Sequence, residues 1–174
     1  YVAWALIKLD GHLLFMERED RLRDGVPHFV LPGGRLNIHD LRSNLEGLKT
    51  SEYLKIIQCR SSQEALDSLP QALIRELEEE LGLVSSEYSI GEGFRLDPFL
   101  KLEGAGASHA YTCYEISLFP ITLNFDGFSR LSRLGKTEVG EKTLEKPPLN
   151  WFTLDEAARA QKGNKRAFIE AWQE

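Results

Sequence analysis

The chain is expected to fold as one mixed α/β domain, an α+β arrangement in which a mixed β-sheet is covered by helices. Three observations predict it. Apolar runs at 2–9, 12–16 and 28–31 precede a segment with helical spacing, and strand-like residues at 93–119 precede a second one, so strands and helices alternate in groups. The length of 174 residues lies within the usual single-domain range of about 100–200. A hydrophobic content of 42% against 28% charged residues is enough for one sizeable core and too much for a disordered chain.

The elements follow in order. Residues 2–9 and 12–16 read as two strands joined at Asp10-Gly11, a two-residue hairpin signal. Residues 17–27 are charged and read as a loop. His28-Phe29-Val30-Leu31 reads as a short strand that ends in Pro32-Gly33-Gly34. Residues 37–62 are polar and irregular and are expected as loop with one short helix or strand. The clearest helix follows. Ser68 with Gln71 three residues on makes a capping-box pattern, Pro70 suits a first turn, Ala72, Leu73, Leu77 and Leu81 recur at helical spacing, and Gly82 supplies the stop. Two strands are expected around Gly104-Ala105-Gly106, then a polar loop at 133–148, a short apolar run at Trp151-Phe152-Thr153, and a closing helix over 154–172 interrupted near Gly163-Asn164.

Charge and composition exclude several classes. The net charge is −6 and the pI about 5.3. Affinity for nucleic-acid backbone comes from Lys and Arg neutralising phosphates, so no nucleic-acid partner is expected. An anionic substrate would need a counter-charge, and a divalent cation is the obvious candidate. Cys59 and Cys113 are read as two separate reduced thiols. No run approaches the ~18 apolar residues of a membrane helix, and the opening residues lack the basic region and cleavage site of a signal peptide. A cytoplasmic protein with no membrane partner is the expectation.

The chemistry is concentrated in the central helix. In Arg75-Glu76-Leu77-Glu78-Glu79-Glu80, the residues Glu76, Glu79 and Glu80 stand at i, i+3 and i+4, on one helix face. Like charges at that spacing repel. Arg75 reaching Glu79 at i+4 would offset this, as would a hard divalent cation among the carboxylates; a solvated acidic face is the plainer reading of the run alone.

Arg75–Leu83 resembles, at every specified position, the second half of the signature of the Nudix hydrolase superfamily, Arg-Glu-apolar-x-Glu-Glu-x-Gly-apolar. In that pattern a Gly is followed by five residues, an acid, and seven more before the Arg. Leu31-Pro32-Gly33-Gly34 is similar to the strand end where the pattern begins. Counting back over seven residues from Arg75 places the acid at Asp67, which 32 residues separate from Gly34 where the pattern has five, an excess of 27. The chain is therefore read as a single Nudix-like domain over 1–174, an α/β/α sandwich with an insertion at about 37–62. The opening hairpin and Trp151–Glu156 also resemble the start and end of the family.

The resemblance implies site roles. Glu79 and Glu80 would be the principal metal ligands, Glu76 a further ligand or the orienter of the attacking water, and Arg75 the ion-pairing partner that holds them. Gly33 would offer its carbonyl to the metal, and Gly34 would let the loop pass close to the helix. Asp67 would pair with Arg75, or else serve as a helix-start acid. The general base would come from the loop before Trp151, with Glu145 first, then Glu141, and Glu138 also present. The implied reaction is metal-dependent hydrolysis of a diphosphate linkage in a nucleoside diphosphate derivative, with Mg²⁺ as cofactor or Mn²⁺ in its place. The substrate would be small and nucleotide-like; which one it is, and whether the chain is a homodimer, are left open. Trp4, Phe29, Phe99 and Tyr111 are assigned to the core in preference to base stacking. The competing reading is a catalytically weak Nudix domain that serves as a nucleotide-binding sensor or interaction module, to which the stretched signature and the absence of an initiator Met point.

Overall fold

The computed structural model describes residues 1–23, 26–102, 111–134, 149–163, 165–166 and 168–169. Glu138, Glu141, Glu145 and the Gly104-Ala105-Gly106 turn lie outside the described residues. Strand β1 (Val2–Leu9) turns at Asp10 and Gly11, both with positive φ (46° and 79°), into β2 (His12–Arg23), as the two-residue hairpin signal predicts. β2 does not stop at Met16. It continues through the charged residues expected as loop and pairs antiparallel with β3 (Val26–Val30), with a register shift between Arg18 and Arg23. Main-chain pairing needs no apolar side chain, so composition was a poor guide there. β4 (Gly33–Arg35) returns antiparallel to the start of β1, with Trp4 opposite Gly33.

Residues 37–62 are mostly helical, not loop. α1 (Ile38–Asn44) is capped by Asn37, whose Oδ1 accepts from the amides of His39 and Asp40 while Asp40 accepts from the Asn37 amide. α2 (Thr50–Gln58) and α3 (Gln63–Asp67) follow, the latter capped by Ser62. α4 (Leu69–Leu81) carries Pro70 in its first turn and ends at Gly82 in the left-handed conformation, φ 64°. The expected capping box at Ser68 does not form. The Ser68 hydroxyl donates back to the Glu64 carbonyl at 2.8 Å, because α3 runs directly into the start of α4.

A 3-10 turn (Ser85–Glu87) leads into β5 (Tyr88–Ile90), β6 (Phe94–Arg95), β7 (Phe99–Leu102), β8 (Tyr111–Tyr114) and β9 (Ile116–Leu123). β9 runs parallel to β1, and β5 and β6 pair antiparallel with β9; β7 and β8 form a separate hairpin. A helix not anticipated, α5 (Phe125–Leu134), comes next, followed by β10 (Leu149–Thr153), which pairs with β2. The expected closing helix is only α6 (Leu154–Ala158). After it come the short strands β11 (Gln161–Lys162), β12 (Lys165–Arg166) and β13 (Phe168–Ile169), the last parallel to β3. Gly163 sits at φ 56° in the β11–β12 turn, where a helix cannot continue.

The main sheet thus runs β13-β3-β2-β1-β9-β5 and is mixed, as predicted. Alternation along β1 and β2 divides the core. Ala3, Ala5, Ile7, Leu14 and Met16 face one cluster with Leu73, Leu77 and Leu81 of α4; Trp4, Leu6, Leu13 and Phe15 face the other, with Phe29, Phe152 and Ala157. The α4 cluster also takes in Leu41, Tyr53 and Ala65 from α1, α2 and α3, all buried. The helices α1, α2 and α3 are therefore part of the core in which α4 packs. No described helix is long and apolar enough to cross a membrane.

Candidate active site on helix α4

Burial of Ala72, Leu73, Leu77 and Leu81 fixes the rotation of α4. The neighbouring positions 75, 76, 79 and 80 consequently point toward β4 and α1. Arg75 is the hub. Its Nη1 donates to Glu76 Oε1 at 2.7 Å and to Glu79 Oε2 at 3.0 Å, and its Nη2 donates to the Arg35 carbonyl at 3.2 Å. Its strongest partner is Asp40, reached from Nε at 2.9 Å and from Nη2 at 3.2 Å. The Asp40 side chain is 3% exposed and Arg75 25%. Hydrogen bonding to Asp40, with a smaller contribution from Glu76, raises the Arg75 pKa despite partial burial, so the guanidinium stays charged.

The two glycines after Pro32 have different jobs. A Cβ on Gly34 would lie 2.2 Å from Glu76 Oε1, so only glycine lets β4 pass this close to the carboxylate. Gly33 sits at φ 129°, and a Cβ there would lie 2.2 Å from the Ala3 carbonyl oxygen. Its amide donates to Glu80 Oε2 at 2.8 Å, which ties the far end of the acidic face to the strand end.

The structure therefore brings Arg75, Glu76, Glu79, Glu80, Gly33 and Gly34 together. It does not bring Asp67. That residue ends α3, where Oδ1 accepts from Gln63 Nε2 at 2.7 Å and its carbonyl accepts from Asn44. The acid paired with Arg75 is Asp40, which the sequence reading missed. The signal was available: five residues separate Asp40 from Gly34, the spacing of the first half of the signature, whereas Asp67 came from counting backward from Arg75. The three carboxylates also diverge more than their spacing suggests. Glu76 and Glu79 meet at the Arg75 guanidinium while Glu80 turns to the Gly33 amide, and among the described residues no three His, Cys, Asp or Glu side chains form a ready metal-binding group. Of the aromatic residues assigned to the core, Phe29 is buried, whereas Tyr111 is 62% exposed.

A cleft of about 520 Å³ beside α5, lined by Ser86, Glu87, Asp126, Ser129, Arg130 and Arg133, shares no residue with this site. Arg130 there is held by the buried Glu87 carboxylate through bonds of 2.6–2.8 Å, an ion pair that anchors α5 to the 3-10 turn.

No family model matches the chain, and no curated protein does. Solved structures are similar to it. Ap4A hydrolase of C. elegans shares 16% identity over 90% of this chain and 81% of its own, with a TM-score of 0.44. NrtR of Shewanella oneidensis, solved in complex with a 27mer DNA, shares 10% over 99% of this chain and 57% of its own, at 0.43. A MutT NUDIX hydrolase from Burkholderia pseudomallei shares 18% over 95% and 91% of the two chains, at 0.41. These are likenesses of fold at 18% identity or less.

Proposed function

We propose that the chain is a Nudix-type pyrophosphohydrolase, which breaks a diphosphate linkage in a nucleoside diphosphate derivative with the help of a divalent cation, Mg²⁺ first and Mn²⁺ in its place. One observation carries the reading. Arg75 and Asp40, 35 positions apart, are hydrogen-bonded at 2.9 Å, so the Gly34-x5-Asp40 and Arg75–Leu83 halves of the signature stand together as one site. On this reading the extra residues follow Asp40: 34 lie between it and Arg75 where the pattern has seven, the same excess of 27.

The donor set suits a hard cation. Glu76, Glu79 and Glu80 offer carboxylate oxygens on one side of α4, and Glu79, at 59% exposure, is open to solvent and substrate. Glu79 and Glu80 would hold the cation, with Glu76 and the Gly33 carbonyl beside them. A cation so held polarises phosphoryl oxygens and lowers the pKa of water. The chain's own residues supply the order. Asp40 fixes Arg75, which fixes Glu76 and Glu79 against their mutual repulsion; Gly34 gives Glu76 its space; the Gly33 amide aims Glu80. Glu76 would accept a hydrogen bond from the attacking water, and Glu145, or Glu141 after it, would take the proton.

A second reading is nucleotide binding without turnover. Arg75 bridging Glu76 and Glu79 favours it, because the guanidinium already takes up a carboxylate oxygen of each. One experiment separates the two. The protein is incubated with a panel of nucleoside diphosphate derivatives and Mg²⁺ or Mn²⁺, and the products are identified. Release of a nucleoside monophosphate, lowered at least a hundredfold by Glu79→Gln, is the expected result. Tight binding with no turnover in either metal would establish the second reading instead.

A further inference from the structure

The register of the main sheet sets four residues in one row. Gly33 of β4 stands opposite Trp4 of β1, Trp4 opposite Leu118 of β9, and Leu118 opposite Phe94 of β6. Directly opposed residues share a sheet face, so Trp4, Leu118 and Phe94 lie side by side. The face is the one that carries the smaller core cluster, with Trp4, Leu6 and Leu118 as its partly buried margin. Phe94, at the end of the row, is 47% exposed. Leu6 and Pro120, themselves opposed, extend the surface two residues along β1 and β9, and Pro120 is exposed. None of these side chains carries a charge.

The row begins at the carboxylate site. The Gly33 amide donates to Glu80 Oε2 at 2.8 Å, and Gly33, being glycine, adds no side chain at this end of the row. Strands lie about 4.8 Å apart, so Trp4 stands one step from Gly33 and Phe94 about 14 Å from it. A nucleoside diphosphate derivative has the same two ends, anionic at its phosphates and planar and apolar-faced at its base. The phosphates belong with a cation among Glu76, Glu79 and Glu80. The base then needs an uncharged, partly open surface that continues from those carboxylates, and this row supplies one. The exposed Leu100, Leu102 and Tyr111 do not, because among the described residues β7 and β8 pair only with each other and lie outside the main sheet. Stacking on an aromatic ring strengthens binding about fivefold to a hundredfold per base and tolerates any base, since each has a π-face.

We infer that the row Trp4–Leu118–Phe94 is the platform on which the base of the substrate stacks, with its phosphates at Gly33 and the α4 carboxylates. The inference rests on the pyrophosphohydrolase reading and deepens it, by naming the surface that holds the other end of the substrate. Trp4, expected from the sequence as core, is then a binding residue at the margin of the core, and Phe94 is the outer end of the platform.

The test is calorimetric titration of the full chain in Mg²⁺ with two ligands: adenosine α,β-methylene diphosphate, which resists cleavage between its phosphates, and methylene diphosphonate, which has no base. Wild type should bind the nucleotide at least about tenfold more tightly than the diphosphonate. Phe94→Leu and Trp4→Leu keep an apolar side chain and remove a ring. Each should weaken the nucleotide about fivefold or more and leave the diphosphonate unchanged. In turnover of a nucleoside diphosphate derivative, Phe94→Leu should raise KM more than it lowers kcat, as binding lost from ground and transition state alike does. Variants that bind the nucleotide as tightly as wild type, or that weaken both ligands equally, would overturn this inference; turnover by wild type in the same preparation would leave the hydrolase reading intact. Selective loss of the nucleotide in a protein that hydrolyses nothing would uphold the platform and overturn the hydrolase reading. Phe94→Leu, at an exposed position, decides the matter if Trp4→Leu does not fold.

Discussion

Arg75 Nε donates to Asp40 Oδ1 at 2.9 Å, joining the first turn of α1 to the middle of α4 across two intervening helices, α2 and α3. The bond does most to make Arg75 a fixed hub, because Glu76 and Glu79 lie on its own helix and the only other off-helix partner among the described residues is the Arg35 carbonyl of β4, at 3.2 Å. Asp40→Ala should therefore loosen the site and the fold together. Removing a partly buried, charge-assisted pair costs about 1.5–3 kcal/mol, read by denaturant unfolding. The proposed hydrolysis should fall at least tenfold, because Glu76 and Glu79 lose their common support. Asp67→Ala should stay within about 0.5 kcal/mol of wild type and keep the proposed activity, since among the described residues the hydrogen bonds of Asp67 outside helix geometry go to Gln63 and Asn44. Equal losses in the two variants would remove Asp40 from its assigned place.

Gly33 and Gly34 should fail differently when each is changed to Ala. At Gly34 the new methyl meets a side-chain carboxylate, Glu76, which can swing aside. Stability should change by less than about 1 kcal/mol, while hydrolysis drops at least tenfold. At Gly33 the methyl meets the Ala3 backbone, which cannot move without breaking the β1–β4 pairing, and the φ of 129° adds strain of about 1–3 kcal/mol. Gly33→Ala should lower Tm markedly. Thermal melts and turnover on the two variants give the contrast.

Legibility followed the source of each signal. The hairpin at Asp10-Gly11 and the stop at Gly82 were readable because both depend on local backbone conformation. The face of α4 was readable because four buried residues repeat at helical spacing. The helices of residues 38–67 were legible only in part, since each is short, and the apolar patch Tyr53, Ile56 and Ile57 of α2 spans little more than one turn. The end of the chain was misread for a related reason: Phe168-Ile169 joins the sheet beside β3, a long-range pairing that local pattern does not encode. Asp40 was missed although its spacing from Gly34 was in plain view, because the acid was sought only by counting back from Arg75, and the packing of α1 against α4 is what brings Asp40 to that arginine.

Acid sensitivity should be traceable to Glu87. Arg130 hydrogen bonds, helped by the Val84 amide, hold the Glu87 carboxyl below its ordinary range. A carboxyl depressed in the folded state contributes its full stability above the unfolded value of about 4.3 and loses it as pH falls through the lower folded value. In a pH series of thermal melts, wild type should therefore lie above Glu87→Gln at pH 7 and converge on it below pH ~4. A gap that stays constant across that window would mean the ion pair is not titrating as assigned.

The helices α1 and α2 should be required for stability, not decoration on the surface. Tyr53 is 2% exposed, packs in the α4 cluster, and its hydroxyl donates to the Leu45 carbonyl at 2.5 Å, closing the link between α1 and α2. Tyr53→Ala should cost about 3–5 kcal/mol, the range for emptying a buried aromatic site, and Tyr53→Phe only about 1 kcal/mol for the lost hydrogen bond. Because α1 carries Asp40, the same cavity should reach the candidate site on α4. Hydrolysis by Tyr53→Ala, measured well below its midpoint temperature, should fall severalfold even where the protein is fully folded. A destabilised variant with wild-type turnover would show that α2 supports the fold without holding Asp40 in place.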